Sequence, residues 1–289
     1  MFGKLVKHEF RATARIIPFV FLVTIFLALV HVLTGRLNLG ALSKISLVLT
    51  VLMCFAQIPI TFALLIWRYY KNMYSNEAYL TQTLPVPPSQ LLWSKLLVGY
   101  VWAAASYLVA AAVGFGVAAA DLFKTSAEFR DFRGEFHQLL TFVGLEDHQA
   151  VMIFILLVLF SISIVTLLAE AYFAITVGSS SRMHGLGIGG PILIFFAEYI
   201  VLQVVNTAAV LFIPLGLQIM SVNGELTQFR LVSQTMFSQV MDSLNNSGTT
   251  SAGIETGIVG MGSMILLPFI LAAMLIITSR FIARHTNIK

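Results

Sequence analysis

Glu170 and Glu198 are carboxylates set inside otherwise apolar runs of a 289-residue chain, where an acid is costly to keep. A charge at the centre of a bilayer costs about 2.5–3.5 kcal/mol on insertion scales, so such residues usually face a bundle interior or a wet cavity. Gln203 and Asn206 extend the polar character of the run that holds Glu198. Two readings follow. Glu198, with Gln203 and Asn206, and Glu170 in the preceding run, would line a path for a cationic or amphipathic substrate. Alternatively, each glutamate is protonated or hydrogen-bonded and joins helices.

No other set of residues has the spacing of a reaction centre. His8-Glu9 lacks the second histidine of a zinc-protease helix. Gly178-Ser-Ser-Ser-Arg182 fails the G-x-S-x-G pattern of a nucleophile elbow. His31 has no second His, Cys or acid at metal-ligand spacing and reads as an interfacial or packed histidine. Cys54 is the single cysteine, so no disulfide forms within one chain. No G-x-x-x-x-G-K-[ST] phosphate loop occurs, and too little chain is left for a nucleotide domain. The chain is therefore expected not to be an enzyme and to carry no cofactor.

The elements that must hold these side chains follow from composition. Hydrophobic residues make up 58% and charged ones 10%, and the mean hydropathy is +0.90. A water-soluble domain carries about 25% charged residues, so lipid is the solvent for much of this chain. Six apolar runs at roughly 16–34, 45–67, 96–119, 150–177, 186–213 and 256–279 are long enough to cross about 30 Å of hydrocarbon. Helices satisfy every backbone group there, and barrel-type alternation is absent. The expected fold is all-α: a polytopic membrane protein with six transmembrane helices in one domain, 1–289. Pro18, Pro59, Pro191 and Pro268 are expected to kink spans. Ser106, Ala110, Gly114 and Ala118, and the pairs Gly185/Gly189 and Gly253/Gly257, have the spacing of close helix packing.

Eleven of the 17 Lys and Arg fall at the N-terminus, the second and fourth connections and the tail, which places both termini in the cytoplasm. This basic balance reflects topology and anionic headgroups rather than nucleic acid. Within 1–15, Phe2, Val6, Phe10 and Thr13 share one helical face and Lys4, Lys7, His8, Arg11 and Arg15 the other. Such a helix lies along the headgroup layer. Two outer segments, 121–149 and 214–255, should also hold amphipathic helices. One carries Phe129, Phe132, Phe136, Leu140 and Val143; the other, at 225–244, carries Leu226, Phe229, Val232, Met236, Val240 and Leu244. They cap the bundle or gate an outer exit.

The connection 68–95 is the most informative stretch. It holds Tyr69, Tyr70, Tyr74 and Tyr79 beside Asn76 and Glu77, then Pro85, Pro87 and Pro88, with Ser89 offering an N-cap. Aromatics with few charges compose a docking surface; Tyr69 and Tyr70 also suit an interfacial aromatic belt. The run Asn76-Glu77-Ala78-Tyr79-Leu80-Thr81-Gln82-Thr83-Leu84-Pro85-Val86, followed by Leu91-Leu92-Trp93-Ser94-Lys95, resembles the coupling segment of permease subunits in bacterial ATP-binding-cassette (ABC) exporters of the six-span, ABCG-like (type-2) group. Ala78 departs from the glycine common there. Phe2-Gly-Lys-Leu-Val-Lys-His-Glu-Phe10 resembles that family's N-terminal elbow helix. The resemblance covers the whole chain in topology and is motif-level in 2–15 and 68–95.

That resemblance implies a permease of the bacterial cytoplasmic membrane, with Tyr74, Asn76, Glu77, Tyr79 and Leu80 coupling it to a cytoplasmic ABC ATPase subunit. ATP and Mg would bind in that partner, and a second permease copy or a paralogue would complete the path. The cargo would be an amphipathic peptide, a lantibiotic-like toxin or a hydrophobic drug. An ion-coupled secondary transporter or channel using Glu170 and Glu198 is the alternative. It calls for inverted repeats and broken helices in matching positions, neither of which is clear here. An intramembrane enzyme would need a paired base and nucleophile or two metal ligands, and two isolated glutamates do not supply them.

Overall fold

The computed structural model describes residues 2–75, 78, 86–122, 149–222, 225–245 and 254–285. Its helices are α1 (Phe2–Thr13), α2 (Ile17–Arg36), α3 (Gly40–Tyr74), α4 (Pro88–Leu122), α5 (Gln149–Gly178), α6 (Gly189–Phe212), α7 (Met236–Asn245) and α8 (Gly262–His285). Three strands, β1 (Gly216–Val222), β2 (Glu225–Val232) and β3 (Ile254–Gly260), lie between α6 and α8. Six helices, α2 to α6 and α8, are long and apolar enough to cross a membrane. The chain is an all-α multi-pass membrane protein carrying one small sheet.

The distribution of side chains on α2 shows why lipid must be the solvent. Phe19, Leu22, Phe26, Leu29 and Leu33 recur at helical spacing and are all exposed, whereas the opposite face buries Thr24, His31 and Thr34. In water that arrangement would be inverted. In hydrocarbon the polar groups gain most by turning inward to meet one another. The Thr24 hydroxyl donates to Gln57 Oε1 (2.8 Å), and Gln57 Nε2 donates to the Ser106 carbonyl (2.8 Å). One fully buried amide thus joins α2, α3 and α4. Towards the far end of α2, Thr34 and Ser46 share a hydroxyl hydrogen bond of 2.9 Å. His31 Nδ1 lies 3.2 Å from the Ser43 carbonyl, so of the two sequence readings, interfacial or packed, this histidine is packed.

Contacts within the chain fall into two compact units. One comprises Met1–Arg130, Ile164–Ile194 and Met274–Lys289 and contains α1 to α4 with the later half of α5; the other comprises Asp131–Ser163 and Phe195–Ala273. In the first, α3 and α4 each have 35 residues, a length of about 52 Å, against about 30 Å of hydrocarbon. Both helices run further than the apolar pattern alone suggested. Helix α3 continues through Tyr74, and α4 begins at Pro88 rather than being capped by Ser89. Proline suits a first helical position because its missing N–H has no partner there. For the same reason Pro18 and Pro191, each in the first turn of its helix, produce no mid-span kink; Pro59 and Pro268 do lie inside α3 and α8. Gly178 ends α5 so close to the start of α6 that an added Cβ would overlap the Pro191 nitrogen.

In the second unit the sheet has strand order β2-β1-β3, antiparallel throughout, with Val222 paired to Glu225 and Gly216 to both Val232 and Gly260. This corrects two sequence expectations. The stripe at 225–244 is not one helix, because its first half is β2 and only Met236, Val240 and Leu244 share α7. The last span begins at Gly262, since β3 occupies 254–260, so Gly257 lies on a strand and not on a packing face of a helix. Gly185 and Gly189 likewise share no helix, because the 3-10 turn Ser181–Leu186 and a positive-φ Gly187 separate them. Thr235 caps α7, its hydroxyl accepting the Ser238 N–H, and Gln239 of α7 accepts the Ile258 N–H of β3 (2.6 Å). The expected helix within 121–149 lies outside the described residues.

Candidate functional site

The strongest convergence of chemistry in the first unit is where α1 meets the last turns of α3 and the first turns of α4. Three facts about α1 place it there. At 100° per residue, Phe2, Val6, Glu9, Phe10 and Thr13 share one face. Lys4, Lys7, His8 and Arg11 occupy the opposite face and are exposed. Phe10 stacks on Trp102 of α4, with centroids 4.9 Å apart and planes 15° from parallel, and Trp102 Nε1 donates to the Thr13 hydroxyl (2.8 Å).

Glu9 is the one charged residue on that packed face, and it holds two cations. Lys95 Nζ of α4 donates to Glu9 Oε1 (2.5 Å), and Arg68 Nε of α3 donates to Glu9 Oε2 (3.2 Å). The Lys95 side chain is 4% exposed and that of Glu9 13%. Arg68 is more open, at 27%. Beside them a cavity of about 10 Å3, bounded also by Thr13, Tyr69 and Tyr172, has room for about one water. Burial alone would raise the Glu9 carboxyl, but the Lys95 ammonium and the Arg68 guanidinium outweigh it and hold the group below its usual range.

That depression has a pH signature. A carboxylate with a lowered folded pKa contributes stability that is fully present above its unfolded value, 4.5. The contribution is lost as pH falls through the lower folded value. The unfolding midpoint of the purified chain should therefore drop more steeply below pH 4.5 than that of Glu9→Gln. Parallel profiles for the two proteins would show that the Glu9 carboxyl binds protons alike in the folded and unfolded chain.

Next to the ion cluster, Tyr69 of α3 stacks on Tyr172 of α5 with centroids 4.0 Å apart and planes 9° from parallel. The Tyr69 and Thr176 hydroxyls lie 2.9 Å apart. Tyr69 is fully buried and so is no part of an interfacial belt; Tyr70 is half-buried near Trp67. Tyr74, expected among exposed docking aromatics, is half-buried with its ring 6.2 Å from that of Tyr69. Asn76, Glu77, Tyr79 and Leu80 lie outside the described residues.

Within the second unit, the polar residues of α6 do not all face one groove. Gln203 and Asn206 of α6 border an open groove of about 510 Å3 with Thr207, Val210, Met236 and Met264, all within the second unit. Glu198 does not border it. Five residues before Gln203, it points about 140° away around the helix. Glu170 is half-buried on the part of α5 that belongs to the first unit. Of the expected set, Gln203 and Asn206 stay together at the groove and Glu198 is turned from it.

Glu9 and Gln57 are the residues that sequence reasoning missed. A lone acid on the apolar face of a basic amphipathic helix marks Glu9, and an amide in the middle of an apolar run marks Gln57. Compared with family models, with curated proteins and with solved structures, the chain matches none.

Proposed function

We propose that the chain is the membrane-spanning permease subunit of an ATP-binding-cassette exporter, with both termini in the cytoplasm and ATP hydrolysed by a separate subunit. The observation that carries this reading is the α3–α4 connection. Its motif, Asn76 to Val86, resembles a coupling segment, and its two roots are fixed to α1 through Arg68, Lys95 and Glu9. A connection that hands on movement from a partner needs rooted ends; a slack linker would absorb the displacement. The buried Tyr69–Tyr172 stack extends the rooting to α5, so motion of the connection reaches four helices. The groove beside α6 and α8, where Val210, Leu211, Met264 and Leu267 stand with Gln203 and Asn206, suits an amphipathic cargo.

The test is co-purification with an ATPase encoded beside this chain, comparing wild type with Glu77→Ala and Tyr79→Ala. Both variants should lose most of the bound ATPase, or keep it while ATP hydrolysis no longer responds to the permease. Retained binding with full coupling in both would remove the docking role.

A further inference from the structure

We propose that the exposed stripe of α1 binds anionic lipid headgroups, and that this contact, transmitted by Glu9, sets how firmly the ends of α3 and α4 are held. Lys4, Lys7, His8 and Arg11 form an exposed row on α1, and Arg15 continues it just before α2. No acid stands on that row, since Glu9, the acid of this helix, is turned into the bundle against Lys95 and Arg68. A helix charged this way has two distinct sides: three cations and a histidine outward, one carboxylate inward.

Position selects the partner. Arg15 precedes by two residues the start of α2, the first membrane-crossing helix, and exposed Ile16 and Phe19 follow at once. The stripe therefore begins at the hydrocarbon boundary, inside the layer where lipid phosphates lie, and α1 extends only about 18 Å from there. A surface rich in phosphate diesters attracts each Lys or Arg in that layer. Lipid contact would press α1 onto the bundle, and the Glu9 carboxylate would then pin Lys95 and Arg68 at the roots of the connection. The inference concerns this chain alone and needs no ATPase.

The test is hydrogen exchange on the purified full chain in nanodiscs of phosphatidylcholine, against nanodiscs of equal phosphatidylcholine and phosphatidylglycerol. The anionic discs should slow exchange in α1, and in 69–75 and 88–95, by at least about fivefold, the factor one well-placed cation supplies. High salt should abolish the difference by screening. Lys7→Gln combined with Arg11→Gln should shrink it, whereas Glu9→Gln should confine the slowing to α1. Equal exchange in the two lipids would overturn the proposal and leave the stripe to an acidic protein surface. Slowing confined to α1 in the wild type would overturn the transmission through Glu9.

Discussion

Glu9→Leu should destabilise the chain by about 3–5 kcal/mol, the loss expected when one partner of a buried ionic cluster is removed. The size comes from what is left behind. Lys95 would remain almost wholly buried with the Glu9 carboxylate gone, and Arg68 would lose the same ion pair. Taking the cations away as well should undo most of the damage. Glu9→Leu with Arg68→Met and Lys95→Met replaces the cluster by apolar groups of similar length, and such replacements are often neutral or stabilising. Thermal or denaturant unfolding of the purified proteins reads both outcomes. If the triple variant is as unstable as Glu9→Leu, loss of α1 packing at Phe10 and Thr13, rather than loss of the Glu9 charge, explains the single change.

The same triple variant separates stability from function. With the cluster made apolar, α1 still packs through the Phe10–Trp102 stack and the Trp102–Thr13 hydrogen bond. What disappears is the directional tie from α1 to Arg68 and Lys95. On the proposed function, a folded triple variant with weakened export would assign the cluster to transmission.

Membrane architecture was legible in the sequence because hydrocarbon imposes one rule on every residue of a span: backbone groups must be satisfied within the helix. Span ends were less legible. Beyond the hydrocarbon a helix continues for as long as packing supports it, and Tyr69 packing on Tyr172 carries α3 past its last apolar residues. The sheet carries its own signals in the sequence. Asn223-Gly224 between Val222 and Glu225 has the composition of a two-residue hairpin turn, and Gln218 and Arg230 alternate with apolar neighbours. A helical period found at Leu226, Phe229 and Val232 competes with that alternation over so short a window, and cross-strand pairing decides between them.

For the site, the helical angle of 100° per residue holds more information than a count of polar residues in a span. It places Glu9 among Phe2, Val6 and Thr13, and it turns Glu198 away from Gln203. What no angle supplies is the partner. Lys95 is 86 residues from Glu9 in sequence and Arg68 is 59. Only the packing of α1 across both helices brings the three together.

Tyr69→Ala should cost about 3–5 kcal/mol, the range for truncating a buried aromatic to alanine. Tyr69 is 1% exposed and Tyr172 2%, so neither ring can be replaced by lipid or water without rebuilding the join between α3 and α5. Part of the cost is specific to the pair: stacked aromatics contribute about 0.5–1.5 kcal/mol beyond their buried area. Tyr69→Phe keeps the ring and removes only the hydroxyl that meets Thr176, at a cost of about 1 kcal/mol. Tyr172→Ala should match Tyr69→Ala, and the double alanine variant should fall short of the sum, because the second truncation finds the stack already gone. Unfolding of the four proteins in one detergent gives the coupling energy directly. Strict additivity would mean that the rings are held by separate neighbours, leaving the Glu9 cluster as the chief tie at the roots of the connection.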